Sequence, residues 1–342
     1  MNIGVVFGGK SVEHEISIIT AYQVIESLKT ASNKVFPLYV SKDNDFYYAS
    51  YREVNDYKDL DLITNRSKRF SWIKKGILIG FKKIKLDMVI LAMHGTYGED
   101  GKMGGILEYY DIPYTGPSNI AGGIAQDKIF MKGLMFSNGI RTLPFYSYED
   151  VNESILPVIL KPAHLGSSIG IEIAHTMDEF KEKYNKIKSY DNRILIEKYI
   201  DEFREMNCAV RGYDNLEVSK IEEVHKTNDL LSYEDKYEKS IVKKREFVLD
   251  NYLITEIKNM SLKLFKEFDL FGVARIDFIV INDIPYVNEI NSIPGSLAYY
   301  LFDGSMMDHL TYLMKEGMKR YLSEKKKIFS IDKNILSLKS KK

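Results

Sequence analysis

The sequence predicts a mixed α/β and α+β protein, and three observations carry that prediction. Residues 1–117 alternate apolar strands with helical or loop segments, which is typical of βαβ units on a parallel sheet. Residues 118–200 contain two strands joined by a turn rich in glycine and serine. Further on, two strands flank Asn282-Asp283 and form a predicted hairpin. We therefore expect an N-terminal parallel-sheet α/β domain, a small central β-rich domain and a C-terminal α+β domain.

The length of the chain agrees with this division. At 342 residues it exceeds one typical domain of about 150 residues, and ligands commonly bind where domains meet. The expected boundaries give an N-terminal domain at 1–117, a central domain at 118–200, a C-terminal domain at 201–325 and a basic tail at 326–342.

The composition excludes several classes of function. Lysine plus arginine equals aspartate plus glutamate at 48 each, so the chain has no overall field to hold nucleic acid or an anionic membrane. No apolar run reaches the ~18 residues of a transmembrane helix, and Met1 to Phe7 is typical of a first strand rather than a signal peptide. Cys208 is the only cysteine, which fits a reducing compartment. We expect a cytoplasmic protein that acts on small molecules.

Three apolar segments predict the strands of the first domain. They are Ile3 to Phe7, Val35 to Val40 and Met88 to Met93. Residues 41–85, between the second and the third, are aromatic and charged without a clear period. We interpret them as a variable insertion.

The segment from Gly4 to Ser11 matches the P-loop pattern, but its position excludes a P-loop. A P-loop places its first glycine at the end of a strand, whereas Gly4 to Phe7 are the strand itself. The turn is Gly8-Gly9, and a helix opens after Ser11. Glu13 then lies at the carboxyl end of the first strand, where open α/β sheets bind ligands, and could accept an ammonium group. A carboxylate that only satisfies the helix N-terminus is the alternative.

A second loop leaves the first sheet at His94. It follows the strand ending at Met93, and the three glycines between His94 and Gly101 indicate a tightly turning backbone. Its position favours a binding role for His94, although a single loop histidine is more often structural.

The central domain offers a candidate phosphate site. A helix from Ala125 to Asn138 leads to strands at 157–161 and 169–174, joined by a loop that contains Gly166 to Ser168. Backbone amides of such a loop can enclose phosphate oxygens, and Lys128 and Lys161 could supply the cations. Surface lysines are usually only solvated. However, Lys161 ends a strongly apolar strand, where an unpartnered lysine is rare.

Two further strand ends carry polar side chains. Glu197 and Lys198 follow the strand from Ile194 to Ile196. The backbone donors and acceptors of such a strand end suit a purine. A linker between domains would give the same sequence pattern. A helix containing Ile257, Leu264 and Phe268 at helical spacing follows, and we interpret it as core packing.

The predicted hairpin gathers a guanidinium, two carboxylates and a carboxamide. Side chains alternate along a strand, so Arg275 and Asp277 share one face of the first strand, and Glu289 and Asn291 share one face of the second. Oxygen ligands of this kind suit Mg²⁺ held together with substrate phosphates, and an arginine beside them suits charge on a transferring phosphoryl group. A solvated hairpin face is the alternative.

Over nearly its whole length the chain resembles the D-alanine:D-alanine ligases of the ATP-grasp superfamily. The matching segments are Phe7 to Ser17, His94 to Gly101, Ala125 to Lys128, Leu160 to Pro162, Gly166 to Gly170, Ile196 to Lys198, Tyr233 to Tyr237, Arg275 to Asp277 and Asn288 to Asn291. The resemblance implies the three-domain ATP-grasp fold. It also implies that ATP phosphorylates the carboxylate of one D-alanine and that the amine of a second attacks the acyl phosphate.

The resemblance further implies a role for each candidate residue. The catalytic set would be Glu13, Ser167, Tyr237, Arg275 and Gly295, with Glu13 holding the first ammonium and Arg275 and the Gly295 amide stabilising the oxyanion. The ATP-binding set would be Lys128, Lys161, Ser168, Glu197, Lys198, Ile200, Glu205 and Lys236. Two Mg²⁺ ions, or Mn²⁺, would be held by Asp277, Glu289 and Asn291.

The second substrate would contact His94, Ser296 and Tyr300. His94 and the Lys236-Tyr237 pair resemble ligases that form a dipeptide rather than those that use D-lactate. Tyr300 stands where the family usually has a serine that binds the second carboxylate, and the segment Glu238 to Arg245 is more basic than the family's flexible loop.

The sequence thus predicts an ATP-dependent D-alanine:D-alanine ligase for peptidoglycan precursors, and the resemblance to a family whose members are commonly dimers implies a homodimer. Two alternatives remain open. One is a related ligase with another D- or L-amino acid as acceptor, which Tyr300 motivates. The other is a catalytically silent nucleotide-binding protein on the same fold, against which Arg275, Asp277, Glu289 and Asn291 argue.

Overall fold

The computed structural model describes residues 1–29, 33–49, 67–224, 246–247 and 251–327. The strands are β1 (Asn2–Gly8), β2 (Lys34–Val40), β3 (Phe46–Tyr48), β4 (Lys68–Ile73), β5 (Gly76–Ile79), β6 (Lys82–Lys85), β7 (Met88–Leu91), β8 (Tyr114–Thr115), β9 (Phe145–Tyr146), β10 (Val158–Pro162), β11 (Glu172–Ala174), β12 (Ile194–Lys198), β13 (Arg204–Gly212), β14 (Leu216–Val224), β15 (Glu246–Phe247), β16 (Gly272–Ile281) and β17 (Ile284–Asn291). The helices are α1 (His14–Lys29), α2 (Lys102–Tyr109), α3 (Asn119–Gln126), α4 (Lys128–Ser137), α5 (Met177–Ile187), α6 (Asn251–Glu267) and α7 (Met306–Glu324). Within these residues, no helix combines the length and the apolar character needed to span a membrane.

The first sheet is mixed rather than wholly parallel, which corrects the sequence prediction. Its strand order is β6-β5-β4-β3-β2-β1-β7-β8. The pairs β2–β1, β1–β7 and β7–β8 are parallel, as predicted, whereas β3 to β6 extend the sheet by antiparallel pairs. The parallel strands β1 and β7 are almost wholly buried, as expected for strands covered on both faces.

The antiparallel extension comes from residues 41–85, which the sequence led us to interpret as a variable insertion. Their described part forms the four strands β3 to β6. Aromatic packing stabilises this edge: the rings of Phe70 and Trp72 lie edge to face at 5.2 Å, and Phe46 lies edge to face with Trp72 at 6.0 Å. The strands are short, and lysines on β6 are exposed, so no clear period two was visible in the sequence.

The other two sheets are antiparallel. The central sheet has the order β11-β10-β12-β9, and the third has the order β15-β14-β13-β16-β17. The predicted hairpin is confirmed, since β16 pairs with β17 and the connecting Asn282 and Asp283 have φ of 48° and 59°. Two successive residues with positive φ are typical of the tight turn whose twist matches paired strands.

The helix predicted from Ala125 to Asn138 is two helices. Asp127 separates α3 from α4, and its carboxylate accepts hydrogen bonds from the amides of Ile129 and Phe130, both at 3.0 Å. This N-cap begins a new helix in place of the continuous one. The buried side chains of α3 and α4 pack in one core with α6 and the third sheet.

The last helix, α7, returns to the first sheet. Leu310 and Leu313 belong to the same core as β1 and β7. A Cβ on Gly317 would lie only 2.6 Å from the carbonyl oxygen of Tyr114, so the absence of a side chain allows α7 to approach β8 closely. Arg320 extends the contact through an ion pair with Glu108 at 2.6 Å.

Candidate active site

A first contact joins the first sheet to the central sheet. The Gly8-Gly9 turn ends β1 in left-handed backbone, and Glu13 follows just before α1. The hydroxyl of Ser167 donates a hydrogen bond to the Glu13 carboxylate. A Cβ on Gly166 would lie 3.1 Å from the same carboxylate, so glycine leaves room for it. The contact between Glu13 and Ser167 that the resemblance implied is present.

The loop that carries Ser167 has the geometry of a phosphate cradle. Ser167 and Ser168 have φ of 53° and 58°, and successive left-handed residues turn their amides toward a common concavity. The ammonium of Lys128 donates to the carbonyl of Leu165 at 2.7 Å, which places a cation beside the loop. Burial lowers the pKa of Lys128, opposed by the nearby charge of Glu289.

His164 anchors the same loop. Its Nε2 lies 3.0 Å from Asp127 and its Nδ1 lies 2.9 Å from Asp191. The hydrogen bond with Asp127 raises the pKa of His164 against the opposing effect of burial, and Asp191 adds to the rise. The His164 ring therefore connects the loop to the start of α4.

A buried charge cluster lies beneath the loop. The carboxylate of Glu197 is fully buried, 2.7 Å from the Lys161 ammonium and 2.6 Å from the Lys132 ammonium. Burial would raise the pKa of Glu197, but Lys132 and Lys161 hold it at about 2. Lys161 also donates to Asn288 Oδ1 at 3.3 Å, which joins the central sheet to β17.

This burial modifies the adenosine site that the resemblance implied. The Glu197 side chain is enclosed by lysines, so its main chain is the part that could face a nucleotide. The Lys198 ammonium donates to the carbonyl of Ile155 at 2.9 Å. Ile200, on the connection to β13, and Glu205, within β13, are half-buried. Their nucleotide-binding roles stay predictions.

The hairpin assembles the polar cluster that the sequence predicted. Asp277 faces Glu289 across the ladder and Arg275 faces Asn291. Arg275 donates to both oxygens of Asp277 at 2.7 and 2.8 Å, and Asn291 donates to Asp277 at 3.0 Å. The described residues contain no group of three or more His, Cys, Asp or Glu side chains placed to hold a metal ion. Two carboxylates and a carboxamide fit Mg²⁺ that takes its remaining ligands from phosphates and water.

Tyr300 lies against the guanidinium of Arg275. Burial disfavours the charge on Arg275, but Asp277 and then the hydrogen-bonded phenol of Tyr300 raise its pKa well above the ordinary value. Tyr300 belongs to the 3-10 segment Gly295–Leu301, which follows β17. The aromatic side chain at the family's serine position therefore contacts the arginine that the resemblance assigns to the oxyanion.

His94 joins the first sheet to the loop after β17. Its Nδ1 lies 2.6 Å from the carbonyl oxygen of Ile293 and its Nε2 lies 2.7 Å from the Thr20 hydroxyl. Its main-chain amide donates to Ser17 at 2.9 Å. Both ring nitrogens are thus engaged within the protein, which favours the structural interpretation of His94 over direct binding of substrate.

Sequence reasoning missed two buried residues of this site, Lys132 and Thr20. Lys132 lies four residues after Lys128, so both project from one face of α4, and that spacing was the available signal. Thr20 lies on α1, which begins immediately after Glu13. The predicted Lys236, Tyr237 and segment Glu238 to Arg245 lie outside the described residues.

Comparison with known proteins gives matches along most of the chain. A family model described as "D-ala D-ala ligase N-terminus" matches residues 2–117, and one described as "D-ala D-ala ligase C-terminus" matches residues 141–309. The D-alanine–D-alanine ligase of Thermosipho melanesiensis is 37% identical over 361 aligned positions, which cover 99% of each chain.

Solved structures give the same result. The D-alanine–D-alanine ligase from Coxiella burnetii has a TM-score of 0.82 at 24% identity, covering 95% of this chain and 97% of that one, and shows the shared fold. The D-alanine–D-alanine ligase from Bacillus anthracis complexed with ATP has a TM-score of 0.69 at 25% identity, covering 96% of this chain and 100% of that one.

Proposed function

The chain belongs to the D-alanine–D-alanine ligase family, and from this membership we propose how its own residues join two D-alanine molecules. The enzyme uses ATP and makes D-alanyl-D-alanine for the cell wall. The residue assignment rests on three contacts that bring the three sheets together at one place. Glu13 contacts Ser167, Lys161 contacts Asn288, and a further contact links His94 to the loop after β17.

In the first step the carboxylate of one D-alanine attacks the γ-phosphorus of ATP, and ADP leaves. Glu13 would hold the ammonium of this D-alanine, and Ser167 keeps the Glu13 carboxylate in place. Lys128 and Lys161 would bind phosphate oxygens together with the amides of the Gly166 to Ser168 loop. No covalent bond to the protein is needed, because positioning and charge stabilisation supply the catalysis.

Mg²⁺ would be held by Asp277, Glu289 and Asn291, whose oxygens face one another on the hairpin. Bound there, it would neutralise charge on the β- and γ-phosphates. Arg275 already binds both oxygens of Asp277, so the arginine would orient this carboxylate for the ion.

In the second step the amine of another D-alanine attacks the acyl phosphate carbon. The carbon–nitrogen bond forms, the carbon–oxygen bond to phosphate breaks, and the neutral amine loses one proton, which phosphate accepts, while the other stays on the new amide nitrogen. Arg275 and the Gly295 amide would stabilise the oxyanion of the tetrahedral intermediate. Tyr300 contacts Arg275, and its phenol would donate to the carboxylate of the second D-alanine, beside Ser296.

A different acceptor is the second candidate function. It rests on Tyr300, whose ring fills space that a serine would leave open and thereby changes the acceptor pocket. We also expect a cytoplasmic homodimer organised as domains 1–117, 118–200 and 201–325.

The test is phosphate release from MgATP with D-alanine alone, and then with D-alanine paired with D- and L-amino acids and D-lactate, with products identified by mass. Release with D-alanine alone and a D-alanyl-D-alanine product is the expected result. Release only with a mixed pair would establish the different acceptor. No release with any pair would contradict the ligase assignment and favour a silent nucleotide-binding protein.

A further inference from the structure

The stretch from Ile293 to Ser296, where the chain leaves β17 and enters the 3-10 segment, is held at both ends by residues of the first sheet and its helix. The carbonyl of Ile293 is 2.6 Å from His94 Nδ1, and the amide of Ser296 donates to Thr20 Oγ1 at 3.1 Å. Thr20 Oγ1 lies 2.7 Å from His94 Nε2, so the two hydrogen bonds belong to one connected network. Thr20, His94 and Ile293 are buried, with at most 2% of each residue exposed.

The chemistry of these groups gives the direction of each hydrogen bond for a neutral His94 ring. A carbonyl oxygen only accepts, so His94 Nδ1 carries a proton and donates it to Ile293. In the neutral ring Nε2 is then an acceptor, and the Thr20 hydroxyl donates to it. The Thr20 oxygen keeps a lone pair for the amide of Ser296. One threonine hydroxyl therefore connects the amide of Ser296 to the histidine that holds Ile293.

The 3-10 segment begins with a backbone that needs such support. Ser296, Leu297 and Ala298 have φ of 50°, 52° and 50°, the left-handed region that L-residues seldom occupy in succession. Leu297 and Ala298 are buried, and the Leu297 amide donates to the Pro294 carbonyl at 2.8 Å. Conformations of this kind persist where the surrounding contacts determine them fully.

We propose that Thr20 is a positioning residue for ligation, because its hydroxyl fixes Ser296 and thereby aims the amide of the adjacent Gly295. This inference rests on the proposed function, which assigns the Gly295 amide to the oxyanion. Thr20 lies on α1, the helix that begins immediately after Glu13. Thr20 itself acts through Ser296 and His94 and not on the reacting atoms.

The test compares variants that differ in the hydroxyl alone. T20V keeps the shape of the side chain and leaves the Ser296 amide and His94 Nε2 without their partner. We expect kcat for D-alanyl-D-alanine formation to fall about tenfold or more, with KM for ATP unchanged. T20S keeps the hydroxyl and should stay within about threefold of the wild-type kcat. T20A differs from T20S by one oxygen atom, so this pair gives the same comparison if T20V does not fold.

Ser27→Ala is the matched control, because the Ser27 hydroxyl lies on α1 and donates to the helix carbonyl of Gln23 at 2.8 Å. S27A should keep the wild-type kcat. A T20V or T20A enzyme with wild-type kcat, or a T20S enzyme as slow as T20A, would overturn the proposal while leaving the ligase assignment intact. A wild-type enzyme without D-alanine-dependent phosphate release would overturn both.

Discussion

The Lys132 ammonium lies 2.6 Å from the Glu197 carboxylate, and neither side chain is exposed to solvent. Glu197 also binds Lys161, so two lysines share one carboxylate, and the cluster keeps a net positive charge beside the predicted phosphate loop. Lys132 donates in addition to Thr142 at 2.5 Å, and Thr142 donates to the Val287 carbonyl at 3.0 Å. The cluster thereby connects the central sheet, α4 and β17.

The variant K132M should lose about 3 kcal/mol or more of unfolding free energy, because Glu197 would keep one ionic partner in a buried site. KM for ATP should rise as well, since the remaining charge of Lys161 would be neutralised by Glu197. Urea unfolding and initial rates with varied ATP measure the two effects.

Lys29→Met is the control for K132M. Lys29 forms an ion pair with Glu26 at 2.6 Å, but both side chains are more than 40% exposed. Exposed pairs contribute about 0–1 kcal/mol, so K29M should be nearly neutral. Equal losses in K29M and K132M would contradict the buried-cluster interpretation.

The variant E289Q should abolish phosphate release and leave the fold intact, because the amide cannot replace an ionised oxygen ligand of Mg²⁺. Phosphate release and circular dichroism check the two parts. Asp283→Asn is the matched control, since it makes the same chemical change at the exposed turn of the same hairpin. Near-normal turnover of E289Q would rule out the metal assignment.

The variant Y300F should raise KM for the acceptor D-alanine about tenfold, because it removes the phenol beside Arg275 that we propose binds the acceptor carboxylate. KM for ATP should stay unchanged. Initial rates with D-alanine varied at saturating ATP, and with ATP varied at saturating D-alanine, measure the two constants. Tyr299→Phe, on the adjacent residue, serves as the control, and an equal change in both variants would speak against a specific role for Tyr300.

The pH dependence of stability should include a contribution from His164. Its hydrogen bond with Asp127 raises the folded-state pKa above the ordinary value near 6.5, so the folded protein holds the proton more tightly. This stabilisation is fully present below about pH 6.5 and is lost as the pH rises through the folded-state pKa. The unfolding free energy of the wild type relative to H164N should therefore be larger at pH 5.5 than at pH 9. A difference that does not change with pH would exclude a charged His164.

The hairpin of β16 and β17 was predictable because residues close together in the sequence determine it. Alternation placed Arg275 and Asp277 on one face, and Asn282-Asp283 suits the positive φ of the turn. The split between α3 and α4 was less visible, since Asp127 in a helical pattern is unremarkable until its carboxylate is seen to cap Ile129 and Phe130.

The buried contacts of Thr20, His94 and Lys132 were not predictable from the sequence alone. Thr20 and His94 are 74 residues apart, and nothing in either segment marks them as partners. Lys132 resembles any helix lysine, and its burial depends on Glu197, which comes from another element. Such contacts depend on how the three sheets pack, which local patterns do not specify.

The return of α7 to the first sheet has a consequence for biosynthesis. Leu107 and Tyr114 are made early, but the core that buries them also contains Leu310 and Leu313, which are made near the end. On the ribosome the first sheet must therefore stay partly uncovered while the other two are synthesised. Chaperones would meet an exposed apolar surface during that interval, and the first sheet could complete its packing only after nearly the whole chain had emerged.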